Sequence, residues 1–194
     1  MQHIELQILP VYIYSFVIKV CINFADIIYD SDEACPSPFE NLPINSKIRN
    51  DKSCYYISTK RTNWKTAKLQ CEAKNSHLIS VETLAEKTHI LEYLLARHYQ
   101  NSEKRNQIND SKDIKYEYWT SGSDMIQEGK WQWGKSRNLV GDVGWLRERK
   151  PESNTENCLS WTLTLITGID NSLKVKEGWV SSWCLKNLFF ICEL

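Results

Sequence analysis

The chain has no charge excess of either sign: 24 Lys and Arg balance 24 Asp and Glu over 194 residues. Such a surface carries no long-range field to gather nucleic acid or an anionic membrane, so both fall away as partners. No Cys-x-x-Cys pair occurs, and no His pair stands near a cysteine at finger spacing. That argues against a structural zinc site. His-Glu-x-x-His, Gly-x-Ser-x-Gly and P-loop patterns are all missing, which leaves catalysis without a motif. The four histidines, His3, His77, His89 and His98, are scattered, and a hydrolase with a non-sequential triad is an outlier reading. There is no internal repeat and no low-complexity tract. One long apolar run exists, Ile8 to Ile18, and it is too short to span a bilayer comfortably.

What the chain does have is cysteine and tryptophan. Its seven cysteines are Cys21, Cys35, Cys54, Cys71, Cys158, Cys184 and Cys192. Without metal spacing they read as a disulfide framework made in an oxidising compartment. The run at 8–18 fits a signal peptide over residues 1–25, cleaved after Ala25. A single-pass anchor or a structured N-terminal strand are the alternatives. Cleavage removes Cys21 and leaves six cysteines, which can pair fully. The expectation is a secreted, extracellular protein with no membrane insertion after cleavage. Residues 26–50, polar and carrying Pro36, Pro38 and Pro43, read as a lead-in, with the domain proper at 51–194. Eight tryptophans imply a shaped aromatic core or binding surface, because each buried indole needs a partner for its N–H.

Along the chain, Ser53–Thr59 reads as a strand. Asn63–Asn75 places Trp64, Ala67 and Cys71 on one helical face. Leu78–Val81 is a short strand or turn. Thr83 with Glu86 is a capping-box signature, and behind it Leu84, Ile90, Leu91, Leu94 and Leu95 form an apolar stripe facing a core. Asn101–Lys115 is polar and reads as an exposed loop, with a glycosylation sequon at Asn109. Then come short aromatic strands: Tyr116–Ser121, Lys130–Gly134, Cys158–Leu165, Glu177–Trp183 and Phe189–Glu193. Helices early and strands late predict an α+β domain. Trp119, Trp131, Trp133 and Trp161 lie on those strands as core candidates.

Five segments resemble the C-type lectin-like family, in its insect-type secreted long form. They are Tyr118-Trp119-Thr120-Ser121-Gly122, Gly129-Lys130-Trp131-Gln132-Trp133, Gly144-Trp145-Leu146, Glu156-Asn157-Cys158-Leu159 and Phe190-Ile191-Cys192-Glu193. Order and approximate spacing are kept from about Cys35 to Leu194. The resemblance implies a double-loop fold with two helices and antiparallel sheets stapled by disulfides. It also implies the pairing Cys35–Cys54, Cys71–Cys192 and Cys158–Cys184. Chain-entropy arguments give each such bridge roughly 3–5 kcal/mol.

Family members bind sugar through a calcium ion held by side-chain oxygens. The resemblance implies donors on each side of a proline, on a Glu two residues before a cysteine, and on a pair following a tryptophan. Here the proline is Pro151, flanked by Lys150 and Glu152; the Glu is Glu156; the tryptophan is Trp179, followed by Val180 and Ser181. Calcium wants six to eight oxygens. Lys150 and Val180 offer none, Ser181 offers a neutral hydroxyl, and Glu152 is a doubtful match. An ammonium beside the ion is unfavourable by on the order of several kcal/mol. The metal site is therefore expected to be degenerate and no cofactor is expected, calcium remaining a lesser alternative through Glu152, Asn154, Glu156 and Asn157.

The ligand-binding candidates are Trp145, Arg147, Arg149, Lys150, Glu152, Asn154, Glu156 and Asn157, with Trp183 nearby. Tryptophan stacks on sugar faces, and Arg or Lys grips sulfate or carboxylate. The competing reading makes Arg147–Lys150 a solvated loop and Trp145 core. Function is expected to be recognition of a carbohydrate or glycoconjugate, of the kind insects use in humoral defence, the resemblance's implication for innate immunity. The alternative is a calcium-independent protein-binding module of a secreted fluid.

Overall fold

A computed structural model describes residues 35–41, 53–103, 113–141, 144–146, 155–167 and 173–194. The expected signal peptide, Asn109 and most of the lead-in lie outside the described residues.

The elements run β1 (Glu40–Asn41), β2 (Cys54–Ile57), α1 (Trp64–Glu72), β3 (His77–Leu78), α2 (Leu84–Glu103), β4 (Ile114–Ser123), β5 (Cys158–Thr167), β6 (Leu173–Ser182) and β7 (Phe189–Glu193). The sheet order is β1-β2-β7-β4-β5-β6, with β3 also pairing β7. The α+β expectation is met, but the sheet is mixed rather than purely antiparallel. Tyr118 and Trp119 of β4 pair in parallel with Phe189 and Phe190 of β7. The cause is topological: the last strand enters between β2 and β4, and β4 runs in its direction.

Helix α1 begins where Asn63 Oδ1 accepts the Thr66 N–H at 2.9 Å, a cap that satisfies an orphan donor of the first turn. Its buried face is Ala67 and Cys71. At α2 the Glu86 N–H donates to Thr83 Oγ1 (3.2 Å), while Glu86 Oε2 accepts from the Glu82 N–H at 3.0 Å. The box thus closes one residue earlier than the motif predicts. Ile90 and Leu94 are fully buried, but Leu84 is 75% exposed. Leu84 stands at the edge of the apolar stripe on the helix's first turn, so the stripe assignment is corrected there. The expected 101–115 loop is also shorter at both ends, because α2 reaches Glu103 and β4 starts at Ile114.

The segment 130–134 is not a strand. Only Gln132 makes bridge pairs, to Ser123 and Leu139. Left-handed backbone at Gly129 (φ 74°) and Arg137 (φ 64°) turns the chain on either side, so no ladder extends. Trp131 and Trp133 are nevertheless buried, as are Trp119 and Trp161.

Two apolar clusters meet across the sheet. One gathers Trp131, Trp133, Trp161 and Trp179 with Ile90 and Leu94 of α2. The other packs Trp119 and Phe190 with Ala67 of α1 around Cys71, Cys158 and Cys192. Two indole N–H groups of this second cluster find backbone carbonyls: Trp64 donates to Thr120 O and Trp119 to Thr62 O, both at 2.8 Å, whereas the buried Trp131 N–H has no hydrogen-bond partner. The bridges are Cys35–Cys54, Cys71–Cys192 and Cys158–Cys184, the pairs the resemblance implies. Through the first of them the lead-in joins the domain: β1 pairs β2, and Phe39 is buried.

Where α2 meets β4, His98 stacks on Tyr116 with ring centroids 3.4 Å apart. Its Nε2 lies 2.5 Å from the Tyr118 hydroxyl. Burial, aided by Arg97, pushes the His98 pKa down to about 4, and burial lowers that of His77 as well.

Two predictions follow from these contacts. Replacing both Cys71 and Cys192 by Ser opens a loop of 121 residues and should cost about 5 kcal/mol, against roughly 3 kcal/mol for opening Cys35–Cys54. Denaturant unfolding of the two double variants checks the ranking. For pH, His98 stays neutral in the fold while the unfolded chain takes up a proton near pH 6.5. Stability is then full above pH 6.5 and falls as pH drops toward 4, by at most about 3 kcal/mol from this group. His98→Gln should flatten that part of the stability–pH curve, and an unchanged curve would refute the assignment.

Candidate functional site

The site is built where a short piece of the long loop docks on β6. Trp179 N–H donates to Gly144 O at 2.7 Å, and Leu146 N–H to Trp179 O at 3.1 Å. The approach is close because Gly178 has no side chain: a Cβ there would stand 2.5 Å from Gly144 O. Gly144 itself has φ 96°, a left-handed backbone that glycine adopts freely.

Beneath the docked loop the Lys87 ammonium of α2 sits 2.9 Å from Glu177 Oε1. Glu177 Oε2 accepts from Trp161 Nε1 at 2.7 Å. The same ammonium lies 5.2 Å from the Trp179 ring centre, within cation–π range. Helix, strand and loop are thus tied at one point. Trp145 is half-buried, edge-on to Trp131 at 5.4 Å, and its indole donates to Gly141 O at 3.0 Å.

These contacts form one wall of an open groove of about 130 Å³. Trp145, Trp179, Val180 and Ser181 line it from the loop and β6; Glu156 faces them, and Lys115, Glu117 and Lys186 complete the lining. Ser181 Oγ donates to Glu156 Oε2 at 2.9 Å. Lys115 Nζ and Glu117 Oε1 pair at 2.8 Å. One carboxylate is therefore capped by a hydroxyl and the other neutralised by an ammonium. Among the described residues no group of three His, Cys, Asp or Glu stands ready to hold a metal.

Of the sequence candidates, the groove brings together Trp145 and Glu156 with Val180 and Ser181. Asn157 is next to it, its amide oxygen buried without a hydrogen-bond partner. Its backbone oxygen accepts from Asp124 N–H at 3.3 Å, and burial raises the Asp124 pKa. Arg147, Arg149, Lys150, Glu152 and Asn154 lie outside the described residues. Sequence reasoning missed Lys115, Glu117 and Lys186. The first two sit on β4 and the third beyond Cys184. The pairing of β4 with β5 and β5 with β6 was the one clue that placed the first two near β6.

The sequence and the fold have known counterparts. The sequence profile of the Lectin C-type domain matches residues 60–194. The chain is 25% identical over 142 residues to a perlucin-like protein of Mytilus galloprovincialis, covering 73% of this chain and 81% of that one. It is 24% identical over 143 residues to the hepatic lectin of Gallus gallus, covering 72% of this chain and 54% of the relative, so it spans about half of that protein. Among solved structures, the C-type lectin domain of murine dendritic cell inhibitory receptor 2, in complex with N-glycan, superposes with a TM-score of 0.51 at 15% identity. That match covers 83% of this chain and 98% of the other. The chain belongs to the C-type lectin domain family.

Proposed function

We propose that this domain recognises carbohydrate or glycoconjugate at the groove beside Trp145 and Trp179, without a calcium ion. The observation that carries this reading is the Ser181–Glu156 hydrogen bond of 2.9 Å. The family's ion would need both positions as donors. Here the hydroxyl is turned onto the carboxylate, and the neighbouring Val180 supplies only carbon. Among the described residues the donors do not fit the ion, and no step is routed through it.

Recognition then rests on what remains. Glu156 is an acceptor-only carboxylate with lone pairs left for ligand hydroxyls. Trp145 supplies an aromatic edge and face beside it. The groove is smaller than pockets that enclose drug-sized ligands, so it suits the margin of one sugar ring. The three disulfides support an oxidising compartment, and with the apolar run at 8–18 they support secretion. Relatives that are lectins support binding rather than catalysis.

Calcium titration of the purified domain tests the ion directly. A site that binds the native state raises the melting temperature; the expectation is no rise at millimolar calcium. A glycan array run with and without EDTA should give the same binding pattern, weakened several-fold by Trp145→Ala. Chelator-sensitive binding would overturn the proposal.

A further inference from the structure

Lys186 lines the groove and ends a turn that starts at Trp183, closed by the Lys186 N–H donating to Trp183 O at 2.9 Å. The turn's centre is pinned twice. Cys184 is bonded to Cys158, and the Cys184 carbonyl accepts the Trp64 N–H at 3.0 Å. The turn is rigid.

Its side chains face solvent. Trp183 is 53% exposed, and the other seven of the eight tryptophans are buried or half-buried. A large aromatic held in water on a disulfide-pinned turn leaves a ring face open to a sugar. Lys186 lines the groove with Glu156. Lys87 and Lys115 each have a carboxylate partner. The Lys186 ammonium makes no ion pair or hydrogen bond among the described residues.

We propose that this turn makes the site selective for acidic saccharides. Lys186 takes the ligand's carboxylate or sulfate, Trp183 packs on the apolar face of a sugar ring, and Glu156 accepts from ring hydroxyls. The proposal rests on the groove being the saccharide site. Charge-assisted hydrogen bonds to an anion are about twice as strong as neutral ones, so an acidic sugar gains where a neutral one leaves Lys186 hydrated. An acidic peptide is disfavoured by the same groove. It brings few hydroxyls for Glu156 to accept from.

The test is an array of neutral, carboxylated and sulfated saccharides in EDTA, followed by titration of the best binder of each kind. Acidic saccharides should bind about tenfold tighter than neutral ones of the same backbone. Lys186→Gln should bring the acidic-to-neutral affinity ratio down to about one; Trp183→Ser should weaken both kinds of binding. In the unmodified protein, the preference should shrink as sodium chloride rises, a readout independent of any variant. Equal binding of acidic and neutral saccharides, or a preference that survives Lys186→Gln, overturns this proposal alone. No binding to any saccharide overturns the underlying reading as well.

Discussion

Strand β7 is the member on which the rest of the structure depends. It pairs with β2 on one edge and with β3 and β4 on the other, so it joins the N-terminal elements to the β4–β5–β6 ladder. Cys192 on this strand is bonded to Cys71 on α1, across 121 residues. Non-local pairing of this kind carries a heavy loop-closure cost during folding. A covalent closure removes much of that cost from the equilibrium by restricting the unfolded chain. The apolar cluster around the bridge, with Phe190, Trp119 and Ala67, then keeps water from the junction.

From that anchor, β4, β5 and β6 project as a long antiparallel ladder, and a further bridge, Cys158–Cys184, closes its near end, in the same apolar cluster as Cys71–Cys192. Site geometry follows from this. Glu156 precedes the bridged Cys158, and Ser181 lies on β6 opposite Leu159. The disulfide and the ladder bring the carboxylate and the hydroxyl together. What they do there is decided by side-chain chemistry: a hydroxyl can donate to a carboxylate, whereas a second ionised carboxylate could not. Replacing an oxygen donor by one that also donates lets the pair satisfy itself.

Much of the fold was legible in the sequence. The capping residues, the α1 face and the strands at 116–121, 158–165 and 189–193 followed from local chemistry, since they obey helix and strand periodicity. The disulfide partners did not; they came through resemblance, because cysteine spacing alone leaves pairings open. The errors were of one kind. Lys130–Gly134 has strand-like alternation, yet turns at Gly129 and Arg137 leave it without a ladder. Leu84 is apolar and in register, yet sits at the rim of its stripe. Both depend on what lies opposite in space. The site was legible in half: Trp145, Glu156, Val180 and Ser181 were marked by their relation to cysteines and tryptophans. Lys115, Glu117 and Lys186 belong to no motif, and only the assembled sheet brings them to the groove.

The groove's wall is held by contacts within the chain. Its floor is fixed by the backbone bonds between Gly144, Leu146 and Trp179, by the absent Cβ of Gly178, and by the Lys87–Glu177–Trp161 tie underneath. The ammonium in that tie is only 13% exposed, so its attraction to Glu177 is less screened than that of a surface pair. The groove's shape is therefore set by groups that carry none of the family's ion-binding duties. Exchange of donors at Val180 and Ser181 can change what the groove binds without changing where it is. On the ten-residue strand β6, Glu177 and Gly178 hold the wall against the helix and loop, and Trp179, Val180 and Ser181 line the groove.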